Sequence, residues 1–282
     1  MSRIVYVNGR FVPEADAKVS IFDRAFLFAD GVYEVTALLA RRPLDLDAHL
    51  ARLDRSLTEM QIAPPLTHPE LRALHEELIA RNEVEEGVVY LEITRGVADR
   101  DFLYPADAPP TVVAFTQGQP LLDNPYAVTG VKVISIPDLR WKRRDIKSTA
   151  LLAQTMGKQQ AKLRGAYEAW MVEDGFVTEG TSSTAFILDA EGLVRTQPLG
   201  HHILPGVTRR AVLRLAETGG LTVEERPFTV KEALQAREAF LSAASAFVLP
   251  VVEIDGVVIG NGRPGPIAQA FRRLYIEEAS KT

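Results

Sequence analysis

The chain has 282 residues, of which 46% are hydrophobic and 24% charged, enough for one large globular domain or two of ordinary size. It has no apolar run of about 18 residues that would predict a membrane span, and its net charge of −5 gives no electrostatic basis for binding nucleic acid. Cysteine is absent and the five histidines lack a metal-binding spacing, so we predict no disulfide, no thiol catalysis and no metal site, and we expect a cytoplasmic protein.

The first part of the chain, residues 1–116, is predicted to form a small domain of strands and two helices. Asn8-Gly9 is a strong hairpin signal at the end of the first strand. Asp47 is predicted to cap the first helix, and Thr67 with Glu70 forms a capping box for the second. The predicted strands are 4–7, 32–35, 88–94 and 111–116.

Residues 117–126, QGQPLLDNPY, have the turn-rich composition of a linker, and the remainder, 127–282, is predicted to form a larger second domain. Ser148 is predicted to cap a helix that ends at Gly165, and Thr208 is predicted to open another. Predicted strands are 131–136, 168–172, 185–188, 221–225, 239–242 and 248–254, with further helices at 230–235 and 264–279. Because strands and helices mix without a regular βαβ period, the predicted fold class is α+β with two domains.

Lys147 follows the charged segment 138–146 and precedes a predicted helix. A lysine at such a junction is a candidate for imine formation with a carbonyl compound, although a lone lysine in a basic loop is usually solvated. Glu179 also draws attention, because it precedes a glycine and four hydroxyl residues, 181–184, that could bind an anion with the main-chain amides.

A second candidate anion site is LPGVT, residues 204–208. Gly206 allows the backbone to approach a ligand closely, and Thr208 opens a helix whose first N–H groups have no partner within the helix. Neither segment is specific by itself. Nucleotide-binding and hydrolase motifs such as GxGxxG and GxSxG are absent from the sequence.

The order and spacing of these residues resemble the fold-type IV pyridoxal-phosphate enzymes. This family includes D-amino-acid, branched-chain and (R)-amine aminotransferases and 4-amino-4-deoxychorismate lyase. The resemblance to D-amino-acid aminotransferases covers nearly the whole chain, and the DGVYEV run favours that branch over the branched-chain enzymes. Matching segments are DR 23–24, FADGVYEV 28–35, HLARL 49–53, TRG 94–96, RW 140–141, DIKS 145–148, TEG 178–180, GVTR 206–209 and PVVEIDG 250–256.

The resemblance implies roles for these residues around a pyridoxal 5'-phosphate cofactor. Lys147 would hold the cofactor as an internal aldimine and then move the proton between Cα and C4′ of the reacting pair. Glu179 would pair with the pyridine nitrogen and keep it protonated, so that the ring acts as an electron sink. The other implied cofactor residues are Arg52, Val207 and Thr208 at the phosphate, Ser182 and Ser183 along another edge, Leu204 against a ring face, Tyr33 near the lysine, and Ala244 in place of a phosphate-binding threonine.

The implied substrate residues are Tyr33, Val35, Tyr90, Arg100, Phe102 and Ser245. The D-amino-acid enzymes hold the substrate α-carboxylate with an Arg-x-His loop, and the corresponding segment here is Arg100-Asp101-Phe102. One hydrogen-bond donor is therefore lost and an apolar group is gained. This change leaves open whether carboxylate binding is altered or whether the substrate range extends to (R)-primary amines.

The resemblance thus implies a homodimeric transaminase that moves an amino group between D-amino acids and 2-oxo acids. One alternative is an (R)-selective amine transaminase or an enzyme with both activities. The remaining alternatives are a branched-chain aminotransferase, 4-amino-4-deoxychorismate lyase and a non-catalytic binding protein on the same fold.

Overall fold

A computed structural model describes residues 2–280 and divides the chain into two compact units. The first unit contains the chain up to Pro120 together with Ile146–Ala150, and the second contains Leu121–Asp145 and the chain from Leu151 onward. The segment around Lys147 therefore belongs to the first unit. The sequence predicts two continuous domains, 1–116 and 127–282, and that division would place Lys147 in the second one. No helix in the described part of the chain is long and apolar enough to cross a membrane.

The first unit contains a six-stranded antiparallel sheet with the order β2-β1-β6-β5-β3-β4. Its strands are β1 (Ile4–Val7), β2 (Arg10–Pro13), β3 (Gly31–Leu39), β4 (Arg42–Pro43), β5 (Glu86–Thr94) and β6 (Thr111–Gly118). Its helices are α1 (Arg24–Phe28), α2 (Leu46–Glu59) and α3 (His68–Asn82). The predicted hairpin is confirmed, because Asn8 and Gly9 both adopt positive φ, 46° and 86°, between β1 and β2.

Of the two helix caps predicted in the first unit, one is confirmed and one is wrong. The capping box of Thr67 and Glu70 is confirmed at the start of α3. The prediction that Asp47 caps α2 is wrong, because the N-cap position is Asp45 and Asp47 lies in the first turn, where it pairs with Arg72. The apolar stripe of α2 is buried in the core as its spacing predicts, through Leu50, Leu53 and Leu57.

The described part of the second unit contains a nine-stranded mixed sheet with the order β12-β11-β10-β13-β14-β7-β8-β9, in which β15 pairs with β14. Its strands are β7 (Val131–Pro137), β8 (Glu168–Glu173), β9 (Phe176–Gly180), β10 (Thr184–Leu188), β11 (Val194–Thr196), β12 (Val223–Glu225), β13 (Glu238–Ala243), β14 (Phe247–Ile254) and β15 (Val257–Val258). Its helices are α4 (Pro125–Thr129), α5 (Leu152–Leu163), α6 (Val207–Thr218), α7 (Val230–Leu234) and α8 (Pro266–Ala279).

Several predicted boundaries around these elements are wrong. Ser148 does not cap α5, because that helix begins at Leu152 and its N-cap residue, Leu151, makes no side-chain cap bond. Ser148 instead forms an antiparallel bridge with Val32 in the first unit. Helix α6 begins one residue before Thr208. The predicted linker is partly regular structure, since residues 117–118 extend β6 and residues 125–126 begin α4. Strands β9 and β11 were not predicted from the sequence.

Candidate active site

The residues predicted for the site are divided between the two units. The first unit holds Tyr33, Val35, Arg52, Tyr90, Arg100, Phe102 and Lys147. The second unit holds Glu179, Ser182, Ser183, Leu204, Val207, Thr208, Ala244 and Ser245.

Lys147 is held by its main chain on both sides. The Tyr33 N–H donates to the Lys147 carbonyl at 3.0 Å, and the Lys147 N–H donates to the Ser56 hydroxyl at 3.3 Å. The preceding residue, Ile146, is buried in the core of the first unit. The Lys147 Nζ lies 4.2 Å from the centroid of the Tyr33 ring, so the side chains that were predicted to be neighbours meet through the ring face.

Arg52 is paired with Glu34, which also contacts His49, and neither of these two was predicted as a site residue. Its Nε and Nη2 lie 2.8 and 2.7 Å from the two oxygens of Glu34, and the His49 Nδ1 lies 2.6 Å from Oε2 of the same carboxylate. All three side chains are buried. Burial alone would raise the pKa of Glu34, but the Arg52 guanidinium and His49 hold it well below its usual range. The three-residue spacing of His49 and Arg52, which places both on one face of α2, is the sequence signal for this cluster.

Three of the predicted substrate residues share one face of the six-stranded sheet. Val35 lies opposite Tyr90, and Tyr33 lies opposite Glu92, in the pairing of β3 with β5. The rings of Tyr33 and Tyr90 stack at 5.6 Å between centroids, and Tyr90 stacks on Phe115 at 4.8 Å. Glu92 and Phe115 complete an aromatic and acidic surface that the sequence did not predict.

The Arg100–Phe102 loop packs on α1 in the same unit. The Arg100 guanidinium lies 5.3 Å from the centroid of the Phe28 ring and 5.4 Å from that of Phe102. Buried Arg24 fixes the loop, because its Nη1 donates to the Asp101 carbonyl at 2.6 Å. The Phe102 side chain is 78% exposed, so the apolar residue at the predicted carboxylate position faces outward from this unit.

In the second unit, Glu179 is buried within a chain of alternating charges. Its carboxylate forms an ion pair with Arg140 and accepts from the Leu204 N–H at 3.3 Å. Arg140 is itself held by Asp138, with Nη2 2.7 Å from Oδ2. Burial raises the pKa of the Glu179 carboxyl, whereas the Arg140 guanidinium and the Leu204 N–H favour its charged form. A buried, oriented carboxylate of this kind suits a protonated ring nitrogen.

The hydroxyls after Glu179 surround a second buried carboxylate, Glu168. Ser182 and Ser183 donate to its Oε2 at 3.1 and 3.2 Å, and Thr181 donates to its Oε1. The Lys158 Nζ lies 3.4 Å from Oε2. The structure therefore gives the two predicted cofactor serines a protein partner that the sequence did not predict.

The start of α6 has the properties of a phosphate site. Gly206 occupies the N-cap position without a side-chain cap bond, which leaves the first N–H groups of the helix available to an anion. The Thr208 and Ser242 hydroxyls are buried and find no hydrogen-bond partner among residues 2–280. A Cβ at Gly206 would lie 3.0 Å from the Thr184 hydroxyl, so any larger residue at this position would crowd that hydroxyl. Unpaired buried hydroxyls beside a helix N-terminus fit the phosphate of the implied cofactor.

Ala244 and Ser245 lie in the turn that joins β13 to β14. Buried Arg272 of α8 fixes this turn, since its Nη1 donates to the Ala246 carbonyl at 2.8 Å. Phe247, which ends the turn, adopts a positive φ of 58° although it is not a glycine. The turn that carries two predicted site residues is thus constrained from the C-terminal helix.

The chain is similar to known proteins of one family. The sequence model of amino-transferase class IV matches residues 31–254. The D-alanine aminotransferase of Bacillus licheniformis is 39% identical over 282 residues, 99% of both chains. The solved branched-chain aminotransferase of Thermoproteus uzoniensis superimposes with a TM-score of 0.88 at 27% identity, over 98% of this chain and 94% of that one. The solved T.th. branched-chain amino acid aminotransferase, complexed with N-(5'-phosphopyridoxyl)-L-glutamate, has a TM-score of 0.89 at 24% identity, over 100% of this chain and 95% of that one.

The chain therefore belongs to the class IV aminotransferases. This membership confirms the α+β, fold-type IV architecture that the sequence predicted. It also confirms the aminotransferase class and the pyridoxal 5'-phosphate cofactor. The buried hydroxyls of Thr208 in α6 and Ser242 in β13, and the buried Glu179 carboxylate, are consistent with that cofactor.

Proposed function

We propose that the protein transfers an amino group between D-amino acids and 2-oxo acids. The observation that carries this proposal is the similarity, over the full chain, to proteins named D-alanine aminotransferase. The FADGVYEV segment, which contains Tyr33 and Glu34, lies in β3 and its preceding turn, beside the main chain of Lys147.

Two residues are proposed to act directly on the chemistry. Bound pyridoxal 5'-phosphate supplies an electron sink that stabilises negative charge at the substrate Cα. Lys147 is proposed to attach the cofactor through Nζ and to carry the proton that leaves Cα. Glu179 is proposed to hold a negative charge opposite the pyridine nitrogen, a task supported by its ion pair with Arg140, which favours the charged form of the carboxyl.

The remaining residues are proposed to bind and orient the reactants. Residues 127–282 are proposed to form the main cofactor-binding domain. The proposed phosphate residues are Arg52, Val207, Thr208 and Ala244, and the proposed ring contacts are Ser182, Ser183, Leu204 and Tyr33. The proposed substrate residues are Tyr33, Val35, Tyr90, Arg100, Phe102 and Ser245.

We propose a homodimer as the working assembly. An exposed apolar surface on the first unit supports it, formed by side chains of two segments that the Asp23–Val97 bridge joins. Its most exposed members are Ile21 (68%), Phe26 (76%), Phe102 (78%) and Leu103 (77%). Exposed apolar surface of this kind marks protein–protein contact, and a second copy is the simplest partner. A cytoplasmic location is proposed as well, in keeping with the absence of cysteine.

A second candidate function is transamination of (R)-primary amines. The specific observation in its favour is Phe102, an exposed apolar side chain where the related enzymes are expected to use a hydrogen-bond donor. Rates with D-alanine, L-alanine and (R)-1-phenylethylamine, each measured with pyruvate and with 2-oxoglutarate, distinguish the two functions. Turnover of L-alanine in preference to D-alanine would contradict the main proposal.

The role of Lys147 is tested by borohydride reduction of the cofactor-loaded protein, followed by mass spectrometry of its peptides. We expect the phosphopyridoxyl mass on the peptide that contains Lys147. The variant Lys147→Ala is expected to lose both this label and turnover. Lys142→Ala is the matched control, because this lysine lies in the same basic segment with an exposed side chain. Normal labelling and turnover in Lys147→Ala would disprove the assignment.

A further inference from the structure

Two aromatic rings hold the guanidinium of Arg100, at 5.3 Å from the ring centroid of Phe28 and 5.4 Å from that of Phe102. Among residues 2–280, no group accepts a hydrogen bond from this guanidinium, and the adjacent Asp99 and Asp101 form no ion pair with it. A guanidinium contacts a ring through its flat face and leaves its N–H groups at the edge. Arg100 therefore keeps its donors available for an anion that reaches this loop from solvent.

Both rings are tied to one buried side chain, that of Arg24. Its guanidinium lies 4.7 Å from the centroid of the Phe28 ring. Its Nη1 donates to the carbonyls of Asp101 and Leu103 at 2.6 and 3.3 Å, and these are the residues on either side of Phe102. The rings of Phe28 and Phe102 lie 5.5 Å apart with their planes tilted by 50°. The position of the two rings relative to each other is therefore set from the interior of the first unit.

Phe102 contributes little to the core of this unit, because its side chain is 78% exposed. Phe26 of α1 is exposed to nearly the same extent, 76%, but contacts no ring and no guanidinium among the described residues. The contact with Arg100 is thus particular to Phe102 and does not follow from exposure alone. A long arginine side chain loses conformational entropy when it binds a carboxylate, and a ring contact formed beforehand reduces that loss.

We propose that Phe102 is a positioning residue for Arg100, and that together with Phe28 it holds the guanidinium ready for the α-carboxylate of the substrate. This inference rests on the proposed transaminase function, in which Arg100 binds the substrate. It gives the ring at position 102 an indirect part in carboxylate binding, in place of the hydrogen bond that a histidine would donate. An amine without a carboxylate gains nothing from this arrangement, so the inference favours amino acids as the amino donors.

The test compares cofactor-loaded wild type with Phe102→Leu, Phe102→Tyr and Arg100→Met. One measurement is the dissociation constant of propanoate, an unreactive carboxylate with the carbon skeleton of alanine, followed through the absorbance of the cofactor. The other is the separation of KM from kcat for D-alanine. We expect Phe102→Leu to raise the dissociation constant and KM by about three- to fivefold and to change kcat by less than about twofold. Phe102→Tyr keeps the ring and is expected to behave as wild type.

A double-mutant comparison shows whether the ring acts through Arg100. Arg100→Met is expected to raise the dissociation constant of propanoate by at least about tenfold, because charged donors are lost. Adding Phe102→Leu to Arg100→Met is expected to cause no further change, since the group that the ring positions is already absent. Phe26→Leu is the matched control, because it removes an equally exposed ring that contacts no guanidinium among the described residues. It should leave propanoate binding and thermal unfolding as in wild type.

The outcomes separate this inference from the function on which it rests. If Phe102→Leu binds propanoate as tightly as wild type, or weakens binding equally with and without Arg100, the inference is overturned and the transaminase function stands. An equal effect of Phe26→Leu would overturn it as well, because the loss would then come from the exposed surface in general. If wild type transfers no amino group from any D-amino acid, the proposed function itself fails.

Discussion

The guanidinium of Arg52 and the carboxylate of Glu34 form a buried two-bond ion pair, with Nε 2.8 Å from Oε1 and Nη2 2.7 Å from Oε2. A residue predicted to bind a phosphate is thus also part of the structural core of the first unit. Because both charges are buried, the loss of either partner removes a charge–charge contact that the other makes away from bulk water. The stability of this unit and the geometry of the proposed phosphate contact therefore depend on the same pair.

We expect Glu34→Gln to lower the free energy of unfolding by about 3 kcal/mol, since the buried Arg52 guanidinium would lose the charge of its carboxylate partner. Denaturant unfolding of the cofactor-free protein measures this change. Glu14→Gln is the control, because Glu14 pairs with Arg3 on the surface and such pairs contribute less than about 1 kcal/mol. Equal losses of unfolding free energy in the two variants would show that burial of the Arg52–Glu34 pair contributes nothing to stability.

The same carboxylate predicts a dependence of stability on pH. Arg52 and His49 hold the pKa of Glu34 below its usual range despite burial, so its ionised form stabilises the folded state above the unfolded-state value of about 4.3. This contribution is lost as the pH falls towards the folded-state pKa. Between about pH 7 and about pH 3, the free energy of unfolding is expected to fall less steeply for Glu34→Gln than for wild type. A parallel pH dependence of the two proteins would contradict the assignment.

Thr208 is predicted to act on the cofactor and not on the fold. Its hydroxyl is buried without a partner among residues 2–280, so Thr208→Val is expected to leave the cofactor-free protein equally stable or about 1 kcal/mol more stable. The same variant should bind pyridoxal 5'-phosphate at least about tenfold more weakly, because a phosphate donor is lost. Titration of the cofactor by fluorescence and thermal unfolding without it measure the two effects.

Thr218→Val provides the matched control for this experiment. Thr218 is exposed at the other end of α6, and its hydroxyl donates to the Arg214 carbonyl. Its replacement should change cofactor affinity by less than about twofold. If Thr208→Val destabilised the cofactor-free protein and left affinity unchanged, the hydroxyl would be structural.

Gly157 in α5 is required by packing, although alanine is the better helix former by about 1 kcal/mol. A Cβ at this position would lie 2.7 Å from the Cδ1 of Ile136 and 2.9 Å from the Cγ2 of Thr181. Since both neighbours are buried, we expect Gly157→Ala to destabilise the protein by about 1 kcal/mol in net terms. Gln159→Ala, an exposed substitution in the same helix, should change stability by less than about 0.5 kcal/mol. If Gly157→Ala were more stable than wild type, α5 could shift away from Ile136 and Thr181 without loss of free energy of unfolding.

The features that the sequence predicted correctly are those decided by neighbours along the chain. Positive φ at Asn8 and Gly9 is a property of those two residues, and the Thr67–Glu70 capping box forms within one helical turn. Ser148 shows the limit of this reasoning, because its pairing with Val32 lies across more than a hundred residues and overrides its capping preference. Long-range pairing of that kind has no signal in local propensity.

The candidate site shows the same division. Motif spacing predicted Lys147 and Glu179 as site residues, but it did not predict the groups that hold them. Ser56 contacts the Lys147 main chain from helix α2, and Asp138 supports Arg140, the ion-pair partner of Glu179. Motifs indicate the groups that do the chemistry, whereas the buried partners that orient them are set by tertiary structure.

Arg272 is expected to link the C-terminal helix to the proposed phosphate turn. Its Nη1 donates to the carbonyls of Ala246 and Val248 at 2.8 and 3.4 Å, and its Nη2 donates to those of Leu121 and Leu122. Arg272→Met keeps much of the volume but removes every one of these charged donors. We expect a loss of about 2–4 kcal/mol in unfolding free energy, because the buried carbonyls would be left without their donor.

The turn fixed by Arg272 contains Ala244 and Ser245, so Arg272→Met should also weaken binding of pyridoxal 5'-phosphate, by about tenfold if the turn is displaced. The neighbouring residue provides the control, since Arg273 is exposed and its 3.9 Å contact with Glu277 is a surface pair. Arg273→Met should change stability by less than about 0.5 kcal/mol and leave cofactor affinity intact. A folded Arg272→Met protein that binds the cofactor as tightly as wild type would show that the turn keeps its conformation without the arginine. In that case the positive φ of Phe247 would have to be maintained by the packing of its own ring against Tyr275.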